Sequence, residues 1–254
     1  MNSGIPGAQS PLKAMRLLQL LTQHHTKGLS IAELTSLSGY DRTTTRRLLM
    51  VLVNTGYAAK NMESGKYQLG IEAMFMGVAA LEQAPLLAQA KPLMERITQA
   101  TGDTCFLSLR VGDLAYCLYV QEGLNPLPTH RALQGQAHLL GLGTSSLALA
   151  ALLPDAHLQR IYQRRTLDYE NAGVTWERLK TMVNATRLHG FASSVNLLTM
   201  GATGVAVPVA IHEKNEISIS VSNHNHKMHQ DHRYEILRIL KNEIHNAGMK
   251  IIKY

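Results

Sequence analysis

Three arginines and three threonines occupy the six residues from Arg42 to Arg47. A guanidinium can read the O6 and N7 edge of guanine, and hydroxyls can hold phosphate oxygens. Helical spacing sorts this segment. Thr45, Leu48, Leu49 and Leu52 fall on one side, and Thr43, Arg46, Arg47, Met50 and Asn54 on the other. Lys60 and Lys66 flank the turn Asn61-Met62-Glu63-Ser64-Gly65, where two ammonium groups can reach phosphate. Together Arg42, Thr43, Thr44, Arg46, Arg47, Lys60 and Lys66 form a candidate set for contact with double-stranded DNA. A second chemical cluster is His224, His226, His229 and His232 with Asp231. Imidazole ligates metals readily, but no cysteine joins the stretch, and it reads as a solvated loop or oligomer contact. No metal site and no cofactor is expected.

Catalytic patterns are missing. Gly141-Leu142-Gly143 does not extend to GxGxxG with a later acidic residue, and there is no Walker lysine motif, GxSxG or HExxH. Cys105 sits in an alternating apolar stretch with no basic activator beside it, so no nucleophile is assigned. An enzyme with an accessory N-terminal unit is therefore the weakest of three readings. The others are a ligand-controlled DNA-binding regulator and a ligand-independent architectural DNA binder.

The elements that must position these residues follow from local signals. Ser10-Pro11 opens a helix with the stripe Ala14, Leu17, Leu18 and Leu21. Ser30-Ile31-Ala32-Glu33 is a capping box for a short second helix, and Ser38-Gly39-Tyr40 is a tight turn. A third helix runs from Arg42 to about Asn54. Gly56 to Lys60 and Lys66 to Leu69 then read as the strands of a hairpin. Two helices across a glycine turn, followed by a hairpin, make a helix-turn-helix with a wing. Arg46 alone would be an ordinary surface arginine; the order of the elements carries the reading.

Ile71 to Leu81 is an apolar helical run, and Pro85 starts a helix to about Ala100 with Pro92 inside it. From Asp103 the period shortens to two. Strands are expected over Cys105–Arg110, Ala115–Gln121, Thr129–Leu133, Phe191–Val195, Gly204–Ile211 and Glu216–Ser222, with Glu213-Lys214-Asn215 as a hairpin turn. Helices are expected over Leu142–Leu153, Leu158–Arg164, Trp176–Leu188 and Asp231–Ala247. The fold class is α+β, an antiparallel sheet flanked by helices behind a small helical unit. The domains predicted are a flexible tail (1–9), a winged helix-turn-helix (10–70), a linker helix (71–84) and a second domain (85–254).

Composition agrees. The 254 residues carry 25 Lys and Arg against 18 Asp and Glu, a net +7. Residues 1–81 hold eight basic and four acidic residues, so more than half of the excess lies in the first third. Two cysteines exclude a disulfide scaffold and suit a reducing cytoplasm. The first ten residues are polar and lack a signal-peptide core, and no apolar run is long enough to span a bilayer.

In that order and spacing, the chain resembles the IclR family of bacterial transcriptional regulators from about Pro11 to Ala247. The likeness rests on Ile31-Ala32-Glu33-Leu34, Thr43-Thr44 with Arg47-Leu48-Leu49, Tyr67-Gln68-Leu69-Gly70, Thr101-Gly102-Asp103-Thr104, Gly141-Leu142-Gly143, His189-Gly190-Phe191-Ala192 and Gly204-Val205-Ala206-Val207-Pro208-Val209. The resemblance implies a winged helix-turn-helix, a linker helix and a GAF-like effector domain. It also implies a homodimer or tetramer on near-palindromic operators, acting as repressor or activator, without a membrane.

It further implies a small-molecule effector held between the sheet and the loop Gly143-Thr144-Ser145-Ser146. Amides at a helix N-terminus suit a carboxylate. Ser220 and Ser222, two apart on one strand face, resemble the paired serines that contact small organic acids in relatives. Cys105, Leu107, Leu118 and Val207 are the expected apolar wall. Where the short keto-acid binders carry a pocket carboxylate and a cysteine, this chain has Leu198 and Pro208. A different or more apolar organic or aromatic acid is thus expected.

Overall fold

A computed structural model describes residues 7–25, 27–82, 85–124, 126, 133–210 and 216–254. The chain divides into two compact units, 1–84 and 85–254.

In the first unit, α1 (Gln9–Gln23), α2 (Ile31–Ser38) and α3 (Arg42–Asn54) pack around Leu17, Leu21, Leu34 and Leu49, all fully buried. Burial of each such side chain stabilises by about 1.5–3 kcal/mol. The capping box at α2 is complete: Ser30 Oγ accepts from Glu33 N at 3.2 Å, and Glu33 Oε2 accepts from Ser30 N at 2.7 Å. Gly39 closes α2 at φ 71°, a left-handed turn that aims the chain into α3. Asp41 caps α3, accepting from Thr44 N at 2.8 Å. Its hydrogen bonds from Thr44 lower its carboxyl pKa. The expected cap at Ser10 is absent. Helix α1 begins two residues earlier, at Gln9, with Ala8 at the cap position and no side-chain cap. The strands β1 (Ala58–Lys60) and β2 (Tyr67–Leu69) pair antiparallel, and α4 (Ile71–Glu82) follows.

The second unit opens with α5 (Pro85–Thr101), which keeps Pro92 inside it. The following elements are β3 (Thr104–Val111), β4 (Leu114–Gln121), β5 (Ala137–Leu139), α6 (Thr144–Ala151), α7 (Asp155–Arg164), α8 (Thr166–Asn171) and α9 (Trp176–His189). The chain ends with β6 (Ala192–Val195), β7 (Ala202–Ala210), β8 (Glu216–His224), α10 (Gln230–Asn246) and β9 (Lys250–Ile251). The sheet order is β5-β4-β3-β8-β7-β6, all antiparallel, with β9 paired to β7. Thr129 to Ala132 and residues 213–215, assigned above to a strand and a turn, lie outside the described residues. The third strand of the second unit among the described residues is β5, further along.

The sheet is covered on both faces. Helices α5 and α10 bury Cys105, Leu107, Val207, Ile219 and Val221. Helix α6 lies across the other face, backed by α9, over Ala115, Ala192 and Ala206. Alternate residues of one strand therefore enter two different cores. A bulge interrupts the β3–β4 ladder: Leu107 pairs with Tyr119 and Ser108 with Cys117, which leaves Leu118 as the extra residue. Asp103, buried at the head of β3, accepts a hydrogen bond from Asn223 Nδ2 and lies 2.7 Å from His232 Nε2, tying β3, β8 and α10 together.

Candidate DNA-reading face and effector cavity

The arginine cluster has the placement its spacing requires. Thr45, Leu48, Leu49 and Leu52 are buried on α3, while Arg42, Thr43, Arg46 and Arg47 are exposed and Thr44 is half-buried. None of the three arginines has an acidic partner among the described residues. Lys60 is exposed at the end of β1. Lys66 differs: its Nζ lies 3.3 Å from Glu33 Oε1, an ion pair joining the hairpin to α2. Hydrogen bonds from Ser30, reinforced by Lys66, pull the Glu33 carboxyl down to about 2. Of the two wing lysines, Lys60 is thus the one without a carboxylate partner among the described residues.

The second unit holds a cavity between α6, the β3–β8–β7 face and residues 197–199. It measures about 70 Å³ to the centre of a water-sized sphere. That is several times the ~10–15 Å³ a cavity needs to admit one water, and leaves room for a small molecule. Gly143, Thr144, Ser145, Ser220 and Ser222 all line it. Thr144 Oγ1 and Ser194 Oγ are 2.6 Å apart, and Ser145 Oγ and Ser220 Oγ 2.7 Å apart. Ser222 Oγ donates to Thr203 O at 2.9 Å. These pairs hold the start of α6 against the sheet.

Gly143, at φ 107°, caps α6 without a side-chain hydrogen bond. The first helical bond runs from Leu147 N to Gly143 O, so the amides of Thr144, Ser145 and Ser146 have no acceptor among the described residues. Three orphan amides at a helix N-terminus form a positive site for an anion. Gly204 makes the close approach possible, since a Cβ there would lie 2.6 Å from Thr144 Oγ1.

Cys105, Leu107, Leu118 and Val207 do not line the cavity. Cys105, Leu107 and Val207 are buried under α5 and α10 on the opposite face, and Leu118 packs against that same core. Phe106, Ser108 and Cys117 take the wall instead, with Leu142, Leu197 and Leu198. The expected wall was placed on the wrong strand face: both faces are buried, so alternation does not say which one meets a ligand. At Leu118 the bulge also breaks the alternation. Burial pushes the Cys117 thiol up to about 12, which keeps it protonated and unreactive. Leu198 faces the cavity, whereas Pro208 is not among its lining residues. Ser194 and His138 were missed by the sequence reading, although both line the cavity. The Nε2 of His138 is buried without a hydrogen-bond partner among the described residues, and burial lowers its pKa. Nothing in the local sequence marks either residue.

The histidine stretch gathers no ligand set. His232 is engaged by Asp103, and no group of three or more His, Cys, Asp or Glu residues is arranged for a metal among the described residues.

The IclR helix-turn-helix domain matches residues 10–61, and the bacterial transcriptional regulator IclR C-terminal domain matches residues 78–247. The chain is 24% identical over 243 residues to the HTH-type transcriptional regulator KipR of Bacillus subtilis, covering 94% of each chain. Its fold is similar to the crystal structure of an IclR family regulator from Brucella abortus, with TM-score 0.78 and 19% identity over 94% of this chain and 90% of that one. It is also similar to an IclR homologue from Microbacterium hydrocarbonoxydans complexed with 4-hydroxybenzoate, with TM-score 0.66 and 16% identity over 93% and 98% of the two chains. Two family domains in this order, matched across most of the chain, are those of regulators and not of enzymes, and the chain belongs to the IclR family of bacterial transcriptional regulators.

Proposed function

We propose that this regulator binds a near-palindromic double-stranded operator as a homodimer or dimer of dimers, and that a small organic acid in the cavity at the start of α6 sets its operator affinity. The observation carrying the effector half is the set of orphan amides at Thr144–Ser146, which open onto a cavity also walled by hydroxyls and Phe106. An acid fits both parts: its carboxylate meets the helix N-terminus and its body meets the apolar wall. The Microbacterium relative carries 4-hydroxybenzoate, which makes that acid the first probe. Arg42, Thr43, Thr44, Arg46 and Arg47 on α3, with Lys60 and Lys66 on the wing, supply the groove and phosphate contacts. Such a protein works in the cytoplasm, beside the DNA it reads. No helix among the described residues is long and apolar enough to cross a membrane.

Anisotropy titration of the full chain on DNA from its own promoter region tests the reading. Binding falls steeply with salt, because phosphate contacts release counterions. An acid that stabilises the protein shifts operator affinity by about 1–3 kcal/mol. Salt-insensitive binding removes the DNA reading. Operator affinity that no stabilising acid alters leaves the architectural alternative in its place.

A further inference from the structure

A second opening lies apart from the α6 cavity and shares no lining residue with it. It is a groove of about 460 Å³, by the same measure, where the C-terminal half of α9 meets β6 and the first turn of α10. Strand β6 divides the two spaces: Ser194 faces the cavity and Ser193 the groove.

Arg233 stands in this groove with its guanidinium mostly unused. Nη1 donates to Ser193 Oγ at 3.2 Å, while Nε is buried with no hydrogen-bond partner among the described residues. No aspartate or glutamate lines the groove. A buried N–H left unpaired is costly, more so on a charged group. Arg233 also sits in the first turn of α10, where the helix dipole disfavours a cation. The charge cost is relieved by a negative group against the guanidinium. The rest of the wall combines polar Thr181, Thr186 and Gln230 with an apolar and aromatic part. Phe191 and Tyr234 meet edge to face with centroids 6.4 Å apart, His189 lies 6.1 Å from Phe191, and Met182 flanks them.

We propose that this groove is a second binding site, for a small organic carboxylate with a planar apolar body. The fork of Arg233 matches a carboxylate in two-point geometry, with the Ser193 hydroxyl beside it. Phe191, Tyr234 and Met182 offer the surface on which a flat ring packs.

Met182 lines the groove, and no methionine lines the α6 cavity, so a methionine methyl separates the two sites. The full chain labelled with ¹³C-methyl methionine is titrated with benzoate and, separately, with inorganic phosphate; Met182→Leu assigns the signal. The expected result is a saturable shift of the Met182 methyl with benzoate and a much weaker response to phosphate. Arg233→Gln weakens the benzoate response about tenfold or more, whereas Arg233→Lys weakens it less. Ser220→Ala, in the other cavity, leaves it unchanged. A Met182 signal that ignores benzoate overturns the proposal, as does an equal response from folded Arg233→Gln protein. A phosphate response as strong as that to benzoate makes this a general anion site and overturns the assigned class. A shift that follows protein concentration without added anion assigns the groove to a second copy of the chain and overturns it too.

Discussion

At the scale of single residues, charge state and partner decide what each side chain can do. Arg47 is exposed on α3 and carries no acidic partner among the described residues, so its guanidinium is available to DNA. Arg47→Ala is expected to cost about 1–3 kcal/mol of operator affinity by anisotropy. A loss equal on all sequences marks a phosphate contact, and a loss confined to the operator marks a base contact. Glu33 gives a pH prediction. Its folded pKa is depressed to about 2 from 4.5, so its contribution to stability is present above about pH 4.5 and is lost as pH falls through 2. In thermal melts across that window, wild-type protein loses stability that Glu33→Ala lacks from the start. The arginine cluster and the capping box were legible in sequence because both are local patterns. The Lys66–Glu33 pair was not, since it joins residues from two separate elements.

At the scale of elements, the face a side chain takes matters more than its type. Leu107 and Phe106 are neighbours on β3, yet Leu107 enters the core under α5 and α10, and Phe106 lines the cavity at the start of α6. Leu107→Ala is therefore expected to cost about 2–5 kcal/mol of stability in urea melts. Gly204 is the element-scale counterpart, holding α6 close to β7. A methyl there meets Thr144 Oγ1 at 2.6 Å, so Gly204→Ala is expected to cost about 1–3 kcal/mol and to lift the α6 amides off the sheet. Thermal melts with and without a stabilising acid check both effects, and the ligand-induced rise in melting temperature should shrink. Helix positions were readable because their signals are capping residues and apolar periods. Strand facing was not readable, because this sheet is buried on both sides and its bulge at Leu118 breaks the alternation.

At the scale of the whole molecule, α4 leaves a surface that one chain does not cover within its own unit. Met74, Phe75, Met76 and Val78 are exposed by 53%, 56%, 58% and 46%, on a helix whose only first-turn charge is Glu72. A patch of this kind marks an interaction site, and a second copy is the partner that the dimer reading calls for. Phe75→Glu is expected to shift the sedimenting species toward monomer. It should also weaken binding to a two-half-site operator about 100-fold, since joined half-sites act through effective concentration. Sedimentation velocity and anisotropy on the same samples test this together.

The sequence alone determined most of the element order and the exposed arginine face of α3, which are written in short-range signals: caps, glycine turns, and periods of 3.6 or 2. It missed β5, α8 and β9, and it pointed to the family through a resemblance. Spacing puts Ser220 and Ser222 on one strand face, but that this face meets Gly143–Ser145 was implied by the family resemblance alone. Only the tertiary structure decided which face of β3 walls the cavity, that Ser194 and His138 join it, that Lys66 is held by Glu33, and that Arg233 lies in a groove without a carboxylate. These depend on which elements pack across the sheet and along its edge. Pairings between residues far apart in the chain leave no periodic trace in it.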